Sequence, residues 1–243
     1  MVRLTGAARV AGVIGDPIDH SRSPAIHNWW IEKQGLDALY APFHASPEAF
    51  DDAVRGLAAA GVRGLNVTAP HKAAALAIAD EATELARRLG AANTLVFDQG
   101  RIIADNTDVA GVVAALTPQI DRINGAPALI LGAGGAAPAV AEALRALGVD
   151  RIDVANRTLA KARDLAERFG GQAFALDDAS PQPYGVIANA TALGLHASDP
   201  TPLPFESAFQ GVAFDAVYAP LKTPFLLAAE AAGGVPVGGL EML

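Results

Sequence analysis

Ala128-Leu129-Ile130-Leu131-Gly132-Ala133-Gly134-Gly135-Ala136-Ala137 decides the fold. Its four aliphatic residues form a strand with no polar face, which marks burial on both sides, as in the middle of a parallel sheet. Glycines follow at once, and Pro138 then fits the first turn of a helix, where its missing N–H has no intrahelical partner. Alone, a Gly-x-Gly-Gly run is also compatible with a plain strand-to-helix turn. With a strand before it and a helix after it, the run reads as a dinucleotide loop. Gly132, Ala133, Gly134, Gly135 and Ala136 then let the backbone approach a pyrophosphate, held at the helix N-terminus.

Working outward toward the C-terminus, the pattern predicts a helix over 138–147, a strand over 152–155, and a helix with Leu159, Ala162, Leu165, Ala166 and Phe169 on one face. This is the first βαβ unit of a doubly wound domain. Domains that bind NAD usually place an acid after the second strand, on the ribose 2′-hydroxyl. Here the residues are Asn156-Arg157-Thr158, with Lys161 one helical turn on. A guanidinium and a hydroxyl suit a 2′-phosphate that a carboxylate would repel, so the pattern favours NADP over NAD. The plainer alternative is that Arg157 and Lys161 are solvated charges at a helix start. Residues 185–188 and 212–217 read as further strands that run into polar or proline-bearing loops, where open parallel sheets bind ligands.

Toward the N-terminus, residues 9–15 read as a strand, and Pro24 opens a helix carrying Ile26, Trp29 and Trp30, the tryptophans expected as packing residues. A strand at 38–43, a helix at 47–60, a strand at 64–67 and a helix at 80–89 follow. Residues 95–97 and 102–104, joined by Asp98-Gln99-Gly100, read as a hairpin. A helix at 109–116 precedes Thr117-Pro118, and the domain hinge is expected around it. The expected fold is α/β with two domains: an N-terminal α/β substrate-binding domain at 1–109 and a Rossmann-type doubly wound NADP-binding domain at 110–236. Residues 237–243 are expected to begin a return segment to the first domain.

Asn66-Val67-Thr68-Ala69-Pro70-His71-Lys72 and Asn106-Thr107-Asp108 are polar runs inside apolar sequence. Pro70 puts Lys72 in the first turn of a helix, where the positive end of the dipole disfavours a protonated amine, as a proton shuttle requires. Asp108 would favour the charged form and could hold the amine by a charge-assisted hydrogen bond. An exposed lysine on an alanine-rich helix is the ordinary alternative. His71 is expected to point away from Lys72.

The 243 residues carry a net charge of −8, and such an acidic surface repels phosphate backbones, which argues against a nucleic-acid partner. There is no cysteine, so disulfide and thiolate chemistry are excluded. The five histidines show no spacing suited to zinc, and no metal is expected. Neither a signal-peptide pattern nor an apolar run long enough to cross a bilayer is present, which gives an expectation of a cytoplasmic protein without a membrane partner.

Together these runs resemble the shikimate dehydrogenase family across nearly the whole chain. The match includes Ser21-x-Ser23-Pro24 with His27-Asn28, the Asn66 to Lys72 run, Gly90-Ala91-Ala92-Asn93-Thr94 and Asn106-Thr107-Asp108. It continues through the Gly132 loop, Asn156-Arg157-Thr158, Asn189-Ala190-Thr191, Asp215-Ala216-Val217-Tyr218 and residues 238–243. The resemblance implies NADPH-dependent, reversible reduction of 3-dehydroshikimate to shikimate by a monomer or homodimer. Lys72 and Asp108 match the catalytic pair, and Ser21, Ser23, Thr68, Asn93 and Tyr218 match positions that bind substrate. Thr191 and Gly239 match positions near the nicotinamide half of the cofactor.

Two other readings are open at this stage: a quinate/shikimate dehydrogenase using NAD, and a nucleotide-binding paralogue without turnover. Ser23 favours shikimate over quinate, and the presence of both Lys72 and Asp108 favours turnover. Pro138 stands where family loops often carry Arg or Lys. Family members also continue past the pair matched by Met242-Leu243 into a glutamine that touches substrate and a helix that returns to the first domain. For a chain ending at Leu243, the expectation is weak shikimate binding beside nearly normal NADP binding.

Overall fold

The computed structural model describes residues 4–196, 198–205 and 208–243. The chain divides into two compact units, Met1–Thr107 and Asp108–Leu243. The first contains β1 (Arg9–Gly15), α1 (Ser23–Lys33), β2 (Ala38–His44), α2 (Phe50–Ala59), β3 (Gly64–Val67), α3 (Lys72–Ile78), β4 (Glu81–Ala82), α4 (Glu84–Leu89), β5 (Thr94–Asp98) and β6 (Arg101–Asp105). Its sheet has the order β2-β1-β3-β5-β6-β4. β1 runs parallel to β2 and β3, whereas β5 runs antiparallel to β3 and β6. Phe50, Val54, Leu65 and Leu95 fill one face of it.

The expected hairpin is β5–β6, and its turn residues Gln99 and Gly100 both have positive φ, at 49° and 78°. That conformation matches the right-handed twist of the strands it joins. The helix expected over 80–89 is shorter and preceded by a strand. The Asp80 carboxylate accepts the Ile102 N–H at 2.8 Å, and Glu81-Ala82 pair parallel with Ile103 and Ala104. Thr83 then starts the helix, its hydroxyl accepting from the Ala86 N–H at 3.2 Å. A capping threonine inside the run is the true helix start that the helical pattern concealed.

Trp29 and Trp30 also depart from expectation, being 56% and 45% exposed. α1 has no fully buried residue, and it packs mainly on the edge strand β2, so its outer side is left to solvent. Lys33 covers part of this surface, its Nζ 5.5 Å from the Trp29 ring.

The second unit contains α5 (Asp108–Leu116), α6 (Ile120–Ile123), β7 (Ala128–Leu131), α7 (Ala137–Ala146), β8 (Ile152–Asn156), α8 (Leu159–Arg168), β9 (Ala173–Ala175), β10 (Val186–Asn189), β11 (Val212–Asp215), α9 (Pro224–Ala231) and β12 (Val235–Val237). All six strands are parallel, in the order β12-β11-β10-β7-β8-β9. From β7 the chain winds one way through β8 and β9 and then the other way through β10, β11 and β12. The switch point of this doubly wound sheet therefore lies between β7 and β10. α5 joins this unit by packing on α7 and on the 3₁₀ turn Gly239–Met242. A Cβ at Gly111 would collide with the Met242 carbonyl, so glycine permits that contact.

Candidate active site

The glycine loop leaves β7 at the switch point. Gly132 has φ +101°, and a Cβ there would lie 2.9 Å from Thr191 Cγ2 and 3.0 Å from the Ala190 carbonyl carbon. Glycine is required both by the backbone conformation and by the approach of the loop after β10. Gly134 is exposed, with nothing within 4 Å of the position a Cβ would take. This is an open cradle of backbone at the start of α7, of the kind that accepts a pyrophosphate.

Asn156, the last residue of β8, ties this loop to the next. Its Oδ1 accepts the Ala133 N–H at 3.2 Å, and its Nδ2 donates to the Thr158 carbonyl at 2.9 Å. Arg157, Thr158 and Lys161 stand exposed at the start of α8, where no carboxylate interrupts 156–158. One amide therefore sets the spacing between the glycine loop and a cationic, hydroxyl-bearing corner.

A buried polar network fixes the ends of β10 and β11. The Thr191 hydroxyl and N–H donate to Asn189 Oδ1 at 2.7 and 3.0 Å. Asn189 Nδ2 donates to Asp215 Oδ1 at 3.0 Å, the Val217 N–H donates to the same oxygen at 2.9 Å, and the Thr223 hydroxyl donates to Oδ2 at 2.6 Å. Asn189, Asp215 and Thr223 are all fully buried. Burial pushes the Asp215 carboxyl above its usual range, and the three donors pull it part of the way back. The network holds the loops that carry Thr191 and half-buried Tyr218, and Gly239 packs its backbone against the Asp215 and Ala216 carbonyls. Asn189 and Asp215 had no assigned role in the sequence. The available signal was a polar residue closing each of two otherwise apolar strands, since a buried polar group must find partners.

All these residues lie at the C-terminal ends of the strands. A cavity of about 520 Å³ opens at the opposite end of the same sheet, beside Pro127, Tyr184, Gly185, Phe209 and Gly211, and none of the expected site residues lines it.

In the first unit, Ser21 and Ser23 follow β1 and Thr68 follows β3, and these strands are parallel neighbours whose loops leave at one end. Ser21 Oγ accepts the Ser23 N–H at 3.3 Å. A side chain at Gly15 would collide with the Thr68 methyl, so glycine lets the two loops close together. Because β5 is antiparallel to β3, its start lies at this same end and brings Asn93 there. Lys72 opens α3, and its carbonyl accepts the Ala92 N–H at 2.8 Å. Asn93 Oδ1 accepts the Thr107 N–H at 2.9 Å, and Asn93 Nδ2 donates to Thr107 Oγ1 at 3.0 Å. His71 turns into the core, with Nε2 2.8 Å from the Ala45 carbonyl and its ring stacked on Phe50 at 4.5 Å.

Ser21, Ser23, Thr68, Lys72 and Asn93 thus gather at one end of the first sheet. Asp108 and Tyr218 belong to the second unit, with the cofactor-binding candidates. Among the described residues, no group of three or more histidines, aspartates and glutamates could hold a metal ion, and no helix is long and apolar enough to cross a membrane.

Two family models match the chain: the shikimate dehydrogenase substrate-binding domain over residues 13–95, and shikimate/quinate 5-dehydrogenase over 115–192. A shikimate dehydrogenase (NADP+) from Caulobacter vibrioides is 50% identical over 99% of this chain and 87% of its own length. A Thermus thermophilus shikimate 5-dehydrogenase, solved with NADP(H) and shikimate, is 40% identical with a TM-score of 0.87, over 96% of this chain and 88% of that one. Another shikimate dehydrogenase, solved with NADP+, has a TM-score of 0.90 at 33% identity, over 99% of this chain and 87% of that one. The chain belongs to the shikimate dehydrogenase family.

Proposed function

We propose that this protein is an NADP-dependent shikimate dehydrogenase that reduces 3-dehydroshikimate to shikimate reversibly, in aromatic amino acid biosynthesis in the cytoplasm. The observation that carries the reading is the Asn156 bridge from the open Gly132–Ala136 loop to an exposed Arg157-Thr158 pair free of carboxylates, in a chain of this family. That donor set fits a dinucleotide with a 2′-phosphate: backbone amides for the pyrophosphate, then a guanidinium and a hydroxyl for the extra phosphate. An NAD-preferring site would be expected to show an acid at this corner.

The bound nicotinamide supplies hydride transfer to and from the carbon that bears the reacting oxygen. Lys72 takes the proton from the substrate hydroxyl during oxidation and returns it to the developing alkoxide during reduction. Asp108 holds the lysine amine in position, and charge-assisted hydrogen bonding suits it to that task. Ser21, Ser23, Thr68, Asn93 and Tyr218 together bind the carboxylate and hydroxyls of the substrate. Thr191 and Gly239 border the nicotinamide half.

The test is product identification. Incubation with shikimate and NADP+ should yield 3-dehydroshikimate and NADPH in equal amounts, separated by chromatography, with quinate turned over poorly. Absence of 3-dehydroshikimate, or preference for quinate, would overturn the reading.

A further inference from the structure

Tyr40 lies on β2, two strands away from β3, yet its hydroxyl donates to Asn66 Oδ1 at 2.6 Å. Asn66 Nδ2 donates to Thr94 Oγ1 at 3.3 Å, and the Thr94 hydroxyl donates to Asn93 Oδ1 at 2.9 Å. Asn93 is the residue clamped to Thr107, and Thr107 immediately precedes Asp108. Five side chains from β2, β3, the start of β5 with the residue before it, and the segment after β6 thus form one hydrogen-bonded row within the first unit.

The row has a single consistent polarity, and a backbone group sets it. The Thr107 N–H can only donate, so it must face Asn93 Oδ1, which turns Nδ2 toward the Thr107 hydroxyl. The Thr94 hydroxyl donates to the same oxygen and is left to accept from Asn66 Nδ2. Asn66 must then present its oxygen to Tyr40, a phenol able to donate. Tyr40 is held for this task by its backbone and by its ring. Asn28 bonds its backbone N–H and carbonyl at 3.0 and 2.8 Å, His27 stacks on its ring at 4.1 Å, and Trp30 meets His27 edge-on at 5.3 Å. Tyr40 is only 5% exposed, so water does not readily replace its hydroxyl as donor.

We infer that Tyr40, Asn66 and Thr94 are positioning residues that brace the Asn93 amide in place beside the substrate, and that the Tyr40 phenol is the remote end of that device. The inference rests on the shikimate reading for the identity of the ligand. Without the phenol, the Asn66 amide can turn over, and the Thr94 hydroxyl loses the arrangement that aims it at Asn93.

Three variants test this: Tyr40→Phe, Thr94→Val and the pair together. Each single variant should raise the KM for shikimate about three- to tenfold, the size expected for one lost hydrogen bond. Turnover should fall less than the KM rises, and the Kd for NADP+, measured by titration calorimetry, should stay unchanged. The double variant should match the worse single variant, because both break one row. Full additivity, an unchanged KM, or equal loss of NADP+ affinity would overturn the inference. A ligand-free readout separates this from failure of the functional reading. The Asn93 side-chain amide signals in a ¹H–¹⁵N spectrum, assigned through Asn93→Asp, should shift in Tyr40→Phe whatever the substrate is. Unmoved signals would reject the positioning role even in an active shikimate dehydrogenase.

Discussion

The side-chain oxygen of Asn156 lies 3.2 Å from the backbone nitrogen of Ala133, joining the end of β8 to the glycine loop after β7. The same side chain also reaches the Thr158 carbonyl, so one amide links the glycine loop to the Arg157 corner. Asn156→Ala should leave the sheet intact but weaken NADP+ by about three- to thirtyfold, the range for one to two lost hydrogen bonds. Calorimetric titration checks this, and unchanged affinity would mean that the bridge does not organise the cofactor loops.

Arg157→Asp tests the cofactor preference. Only NADP+ carries the 2′-phosphate, and a hydrogen bond to a charged group is worth about 1.5–3 kcal/mol. NADP+ binding should fall by at least about tenfold while NAD+ binding holds. Equal loss of both would show that Arg157 supports the fold instead.

Lys72→Ala should lower kcat by about 10²–10⁴-fold, the usual worth of a general acid–base group, with little change in shikimate KM. Asp108→Asn should also slow turnover. Stopped-flow single-turnover measurements check both, and full kcat in Lys72→Ala would remove the proton-shuttle assignment.

Asp215 gives a prediction about pH. Its carboxyl is raised in the folded state by burial, so folding favours the protonated form. The sign follows from linkage: the native state binds more protons, and stability falls as pH rises from the unfolded value through the folded one. Asn removes the charge and its oxygen can still accept from Asn189 and Val217, while its amide reverses the bond with Thr223, whose oxygen also accepts the Leu226 N–H. Asp215→Asn should therefore keep or raise the Tm at neutral pH and flatten its decline from acid pH, whereas Asp215→Ala should lower the Tm throughout. A Tm for Asp215→Asn as low as that of the alanine variant would contradict this account.

What the sequence made legible was local. The aliphatic run 128–131 with its glycines identified the central strand and loop of the second unit, and Gln99-Gly100 identified a hairpin, because each pattern is complete within a few residues. β4 was hidden because two residues carry no periodicity and their pairing partners, Ile103 and Ala104, lie more than twenty residues away. The exposure of Trp29 and Trp30 depends on α1 lying over an edge strand, which sheet order decides. The row from Tyr40 to Thr107 and the Asn189–Asp215–Thr223 network were illegible for the same reason. Their members meet only once strand order and register are set.

The most direct test of the central claim is the specificity constant of the unmodified protein for the two dinucleotides, followed by absorbance of the reduced nicotinamide at saturating shikimate. The account predicts a kcat/KM for NADP+ at least about tenfold above that for NAD+, as loss of one charge-assisted contact would dictate. Equal constants, or a preference for NAD+, would contradict it.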